Sequence, residues 1–127
     1  MAENIIYVSR NGNSHQLKLR DNQGHNPGNN KLTTEVNPND PVIWQLDENS
    51  DISEITGIKA SDPGKPEYRG SQNLLAGDAT KEKNGAWKAT VVSKSPGKGK
   101  FQNYMIGFKI PGDDTEYWDD PKLLMNT

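Results

Sequence analysis

Apolar and polar residues alternate along much of this chain with a period of two. Ile6 and Val8 alternate with Ile5 and Tyr7, and Val42, Trp44 and Leu46 alternate with Ile43 and Gln45. His15, Leu17 and Leu19 share one face of another run, opposite Gln16, Lys18 and Arg20. Trp87, Ala89 and Val91 alternate with Lys88, Thr90 and Val92. Tyr104, Ile106, Phe108 and Ile110 alternate with Met105, Gly107 and Lys109. Successive strand side chains point to opposite faces, so these runs predict half-buried strands. A last short apolar run is Leu123-Leu124-Met125.

Turn signals punctuate the runs. Pro-Gly occurs at Pro27-Gly28, Pro63-Gly64, Pro96-Gly97 and Pro111-Gly112, and Asn-Gly at Asn11-Gly12 and Asn84-Gly85. Pro presets φ for the second turn position and Gly accepts the positive φ that follows, while Asn-Gly favours tight hairpins. Ile52, Ile55 and Ile58 recur every three residues, a spacing that admits one short helical turn with Asp51 and Glu54 as a capping pair. Gly57 and the β-branched residues favour a bulged strand there instead. Residues 60–85 carry weak periodicity and read as a long excursion with at most one short element. Neither a repeat nor a linker interrupts the pattern. The expectation is a single all-β domain over residues 1–127, a two-sheet Greek-key sandwich of cupredoxin-like or immunoglobulin-like type.

Composition thins the core. Leu, Ile, Val and Phe number 23 of 127 residues, a low share for a folded domain, but the net charge is only −2 and three Trp and four Tyr add large buried areas. The sequence holds no cysteine, which removes disulfides, thiol nucleophiles, thiolate zinc sites and iron–sulfur clusters. The first residues, Met1-Ala2-Glu3-Asn4-Ile5-Ile6-Tyr7, lack the basic and apolar regions of a signal peptide. A cytoplasmic location, or export by a signal-independent route, is expected. No apolar run is long enough for membrane insertion, and the mild acidity gives no general attraction to nucleic acid. No Asn-x-Ser/Thr acceptor occurs.

Two stretches carry a family resemblance. Val36-Asn37-Pro38-Asn39-Asp40-Pro41-Val42-Ile43-Trp44 resembles the turn and strand of cupredoxin-like domains, where a Pro-x-Asp turn precedes Val-x-Trp. Pro96-Gly97-Lys98-Gly99-Lys100-Phe101, followed by Tyr104-Met105-Ile106-Gly107-Phe108, is similar to that family's penultimate strand. Ala86-Trp87-Lys88-Ala89-Thr90-Val91 occupies the place of a further strand between them. Asp120-Pro121-Lys122-Leu123-Leu124-Met125-Asn126 resembles the Asp-Pro-Lys closing strand of small bacterial cupredoxin-like proteins that lack copper. The resemblance covers about the last two thirds of the chain. Blue-copper sites need two His and a Cys thiolate. Here the penultimate strand has no Cys, and both histidines, His15 and His25, lie upstream of the matching region. The resemblance therefore implies a metal-free member without cofactor, whose function is not inherited.

Candidate chemistry concentrates in one acidic stretch. Asp113-Asp114-Thr115-Glu116-Tyr117-Trp118-Asp119-Asp120 places five carboxylates within eight residues around an aromatic pair. The spacing matches neither an EF-hand nor a calcium repeat, so a solvated acidic loop is the simpler account. A glycosidase-like carboxylate pair would need a cleft and a raised pKa, which no sequence feature supplies. Ser14-His15 cannot easily act as nucleophile and base, because adjacent strand residues face opposite ways, and no nucleophile elbow occurs. Lys94-Ser95-Pro96-Gly97-Lys98-Gly99-Lys100 lacks the phosphate-loop spacing and reads as a lysine-bearing hairpin loop.

The sequence thus predicts a non-enzymatic binding or structural module that binds a protein partner or copies of itself. The expected binding residues are Asp113, Asp114, Glu116, Tyr117, Trp118, Asp119 and Asp120. Carbohydrate recognition by Tyr117 and Trp118 beside the acids is the alternative. The aromatic pair either folds back to cap the sandwich or stands out as an anchor. Trp44, Trp87, Tyr104 and Phe108 are expected in the core.

Overall fold

The alternating runs form two sheets. A computed structural model describes residues 3–61 and 65–127. Its strands are β1 (Asn4–Arg10), β2 (Leu17–Asp21), β3 (Thr33–Val36), β4 (Pro41–Leu46), β5 (Glu54–Ala60), β6 (Thr80–Lys81), β7 (Trp87–Thr90), β8 (Phe101–Lys109), β9 (Tyr117–Asp119) and β10 (Lys122–Met125). The first sheet has the order β2-β1-β4-β7-β6, and the second β3-β10-β8-β5. β9 pairs with Ile106–Phe108 of β8, beyond the stretch Phe101–Asn103 that pairs with β10. Both sheets are mixed, because β1 runs parallel to β4 and β3 parallel to β10. The protein is an all-β, two-sheet sandwich, as the period-two pattern predicts.

The inward residues of both sheets fill one core. Ile6, Val8, Leu17, Leu19, Val42 and Trp44 come from the first sheet, and Ile55, Tyr104, Ile106, Phe108, Leu123 and Met125 from the second. Trp44 and Tyr104 meet between the layers. Their rings lie 5.5 Å apart, edge to face, and Trp44 Nε1 donates to Tyr104 Oη at 3.1 Å. The hydrogen bond satisfies two polar atoms that burial would otherwise strand. Burial pushes the Tyr104 hydroxyl well above its ordinary pKa.

The Pro111-Gly112 turn forms as its sequence predicts. Asp113 N–H donates to the Ile110 carbonyl at 3.2 Å around Pro111-Gly112, with Gly112 at φ +79°, a conformation that favours glycine. Gly85, at φ +88°, closes the Glu82–Gly85 turn between β6 and β7 as its last residue, donating to the Glu82 carbonyl at 3.1 Å. Pro63-Gly64 lies outside the described residues. The Ile52–Ile58 stretch is the bulged strand, not the helical turn: β5 slips register against β8 between Ile55 and Gly57.

Four expectations change. His15 is not in a strand; β2 begins at Leu17, and the Asn11-Gly12 connection runs through residue 16 rather than closing in two residues. Trp87 is half-buried rather than fully enclosed, since β7 lies next to the short edge strand β6. The 60–85 excursion holds two short elements, a 3₁₀ turn at Pro66–Tyr68 and β6, besides a bridge between Leu75 and Val91. β3 and β9 carry no apolar alternation of their own and form because β10 and β8 supply partners.

Candidate functional site

The acidic stretch follows the Pro111-Gly112 turn and becomes β9, which fixes its side chains against the scaffold. Tyr117 folds back. Its ring stacks on His15, centroids 4.6 Å apart and nearly parallel, and lies 5.8 Å from Phe108. Its hydroxyl donates to Asp113 Oδ2 at 2.6 Å. That bond, joined by the Thr115 N–H at 2.8 Å, lowers the Asp113 pKa to about 2. The same carboxylate raises the Tyr117 pKa.

Trp118 sits beside Gly107 in the β9–β8 register and reaches across to Gly57 on β5, both glycines facing the outer side of the sheet. A Cβ at Gly57 would lie 3.3 Å from Trp118 Cη2, and one at Gly107 only 2.7 Å away. The indole thus fills the surface that the two glycines leave open. Its Nε1 donates to Glu116 at 3.0 Å, and the Lys59 ammonium sits 4.7 Å from the ring centroid.

Asp119 points inward. It accepts the Leu17 N–H at 2.8 Å and an Asn30 side-chain N–H, and is 9% exposed. Burial raises its pKa against the pull of those hydrogen bonds. Asp120 accepts the Tyr68 hydroxyl at 2.7 Å. Of the seven residues singled out in the sequence, Asp114 and Glu116 are exposed. Tyr117, Trp118, Asp119 and Asp120 each hold this segment to the fold, and Asp113 braces Tyr117 within it. The carboxylates take separate donors rather than facing one another across a cleft, and the aromatic pair caps the scaffold.

Among the described residues, no three or more His, Asp and Glu side chains form a metal-ligand group. His15 is engaged with Tyr117. His25 Nδ1 lies 2.8 Å from the buried Asp21 carboxylate, which also accepts from Thr34 Oγ1 and from the Gln23 and His25 amides. His25 therefore anchors the loop after β2. Spacing shows that His25 lies four residues after Asp21, but the burial that gives the pair its role is a tertiary property.

The sheet edges separate the covered from the open. Edge strands expose backbone groups that other strands can pair with. On β2 the outward amides are occupied: Leu17 by Asp119, Leu19 by the Asn29 carbonyl at 3.0 Å and Asp21 by the His25 carbonyl at 3.1 Å. On β3 the Gln23 side chain imitates a strand, donating to the Glu35 carbonyl at 2.6 Å and accepting the Glu35 N–H at 3.1 Å. β6 has two residues only.

β5 has seven residues and pairs on one side only. Among the described residues its outer edge receives one hydrogen bond, from Trp87 Nε1 to the Ile55 carbonyl at 2.9 Å. Ser61 N–H donates to Asn103 of β8, so Ser61 faces its neighbour. Backbone groups alternate sides along an antiparallel strand, which turns those of Ala60 and Ile58 outward. Beside this edge lies a cleft of about 480 Å³. Residues 56–60 of β5 line it together with Leu75, Ala79, Trp87 and Tyr104, and Asn73 and Gln102 add polar groups. Lys59 and Asp78 also border it. Sequence reading finds β5 but not its place at the edge, because strand order is absent from periodicity.

No protein-family model matches the chain, and a search of curated proteins finds no match either.

Proposed function

We propose that this domain is a non-enzymatic binding module, built on a copper-free cupredoxin-like sandwich, that takes a protein partner or a second copy of itself at the edge of β5. One observation carries this reading: β5 is long and open beside an apolar-walled cleft, while β2 and β3 are covered and β6 is minimal. Covering an edge is the usual defence against unwanted pairing, so an undefended one marks a contact surface. The loop 112–120 supports the reading indirectly. Its aromatics are spent on the fold, and Asp114 and Glu116 stand exposed away from the apolar surface that the cleft offers. Carbohydrate recognition fits less well, because the Tyr117 ring lies against His15 and Phe108 and Trp118 rests on glycines with an ammonium over its face.

The test compares the wild type with Ala60→Pro, which removes an outward donor on β5 without removing an inward one. Light scattering across a concentration series reports self-association, and cross-linking in an extract of the source cells reports partners. The reading requires that at least one such complex form with the wild type and disappear with Ala60→Pro, while Asp114→Asn/Glu116→Gln keeps it. A wild-type protein that stays monomeric and whose cross-links are unchanged by Ala60→Pro overturns it.

A further inference from the structure

We infer that the occupant of the β5 edge is an extended peptide segment of another protein, which adds as a strand and drops alternate apolar side chains into the cleft. This rests on the proposed binding-module reading and names its partner class. The backbone supplies the first half of the argument. The outward N–H and C=O groups of Ile58 and Ala60 offer a strand's hydrogen-bonding pattern at two successive sites, and main-chain pairing of this kind gives affinity without fixing sequence.

The cleft supplies the second half. Ile58, Leu75, Ala79 and Trp87 present apolar surface beside the edge, so an added strand places every second side chain between the two sheets. A volume of about 480 Å³ is in the range of built ligand pockets. On the outer side of the same strand the added residues meet Lys59. Glu54 on β5 is already matched by Lys81 at 3.6 Å and Lys109 at 3.9 Å. Lys59, resting on the Trp118 ring and without a carboxylate partner among the described residues, therefore favours an acidic residue at the outward positions of the peptide. The fitting ligand alternates aliphatic and acidic or small polar residues over about five positions.

A second copy fits worse. The two-fold pairing that uses both outward residues sets Ile58 against Ala60 of the other copy and centres on Lys59, placing like charges directly opposite. A single peptide strand does not meet that obstacle.

The experiment selects binders to the whole protein from a phage-displayed library of linear random peptides. The best sequence is synthesised and titrated while backbone amides are followed by NMR and hydrogen exchange. The expected binder shows the aliphatic–acidic alternation, protects the Ile58 and Ala60 amides, and loses at least about tenfold in affinity with Ala60→Pro, as the loss of backbone pairing requires. Ala79→Arg, which fills the cleft from outside β5, produces a comparable loss and decides alone if Ala60→Pro does not fold. No enriched binder, protection away from β5, or equal affinity for both variants overturns the inference. Self-association of the wild type that Ala60→Pro abolishes gives the edge to a second copy. That result overturns the peptide inference and leaves the binding-module reading standing.

Discussion

The Asp119 carboxylate accepts the Leu17 amide at 2.8 Å, so a residue of the second sheet closes the edge of the first across 102 positions of chain. Its other oxygen takes the Asn30 side chain, which ties down the loop after β2.

Asp119→Ala leaves the Leu17 amide without its acceptor. An orphaned buried donor costs about 1–3 kcal/mol, and relief of the buried charge offsets part of this, so a net loss near 1 kcal/mol is expected at neutral pH. The pH dependence has a definite sign. Burial raises the folded-state pKa above the unfolded one, so this group's stabilisation is complete below about pH 4 and is lost as pH rises through the folded value. Asp119→Asn does not titrate and should lose less stability over that rise than the wild type. Urea denaturation at a series of pH values measures both, and parallel curves for wild type and Asp119→Asn would refute the assignment.

Asp113 moves the other way. The Tyr117 hydroxyl and the Thr115 amide hold its carboxyl ionised, with a pKa of about 2. Its contribution is present above the unfolded pKa and is lost as pH falls through about 2. Tyr117→Phe removes the largest cause, and the Asp113 carboxyl should then titrate higher, yet still below the ordinary value of about 3.9, because the Thr115 amide continues to lower it. Carbon-13 NMR of the side-chain carboxyl reads this directly; an unchanged titration means the hydroxyl does not hold the carboxylate in solution.

Among the described residues, Gly107 is the tightest glycine. A Cβ there would stand 2.5 Å from Thr56 Oγ1 and 2.7 Å from Trp118 Cη2. Gly107→Ala should cost about 1–3 kcal/mol, the usual range for overpacking. In a Trp118→Ala background part of that cost disappears, because one of the two clashing groups is gone. A double-mutant cycle by chemical denaturation gives the coupling, and a value of zero would place Trp118 off the glycine surface.

Trp44 and Trp87 should respond unequally. Trp44 is fully buried and bonded to Tyr104, so Trp44→Ala should cost about 3–5 kcal/mol. Trp87 is half-buried, and Trp87→Ala should cost about 2 kcal/mol, below that range for enclosed rings. Its loss also frees the Ile55 carbonyl on the β5 edge. Equal losses measured by denaturation would show that Trp87 is as enclosed as Trp44.

Local pattern and tertiary placement divide cleanly in this protein. Alternation identified β1, β4, β7 and β8, because side-chain direction in a strand is set residue by residue. The Ile55–Gly57 irregularity and the Pro111-Gly112 turn were equally local, since each depends on backbone conformations that a few residues prefer. β3 was not legible: Thr33-Thr34-Glu35-Val36 becomes a strand through pairing with β10, more than eighty residues away. β9 was hidden for the same reason, inside a stretch whose charges suggested a solvated loop.

The candidate site shows the same division. Sequence alone determined that carboxylates and a Tyr-Trp pair crowd residues 113–120, and that cysteine chemistry is absent. Only the tertiary structure decided that Tyr117 stacks on His15, that Trp118 roofs two glycines from neighbouring strands, and that Asp119 closes a foreign edge. Only the strand order decided that β5 stands open beside a cleft while β3 is covered by one glutamine. Composition and periodicity report which way a side chain faces along its own strand. Which strand lies beside another, and which edge is left over, depends on long-range pairing that sums weak preferences over the whole chain.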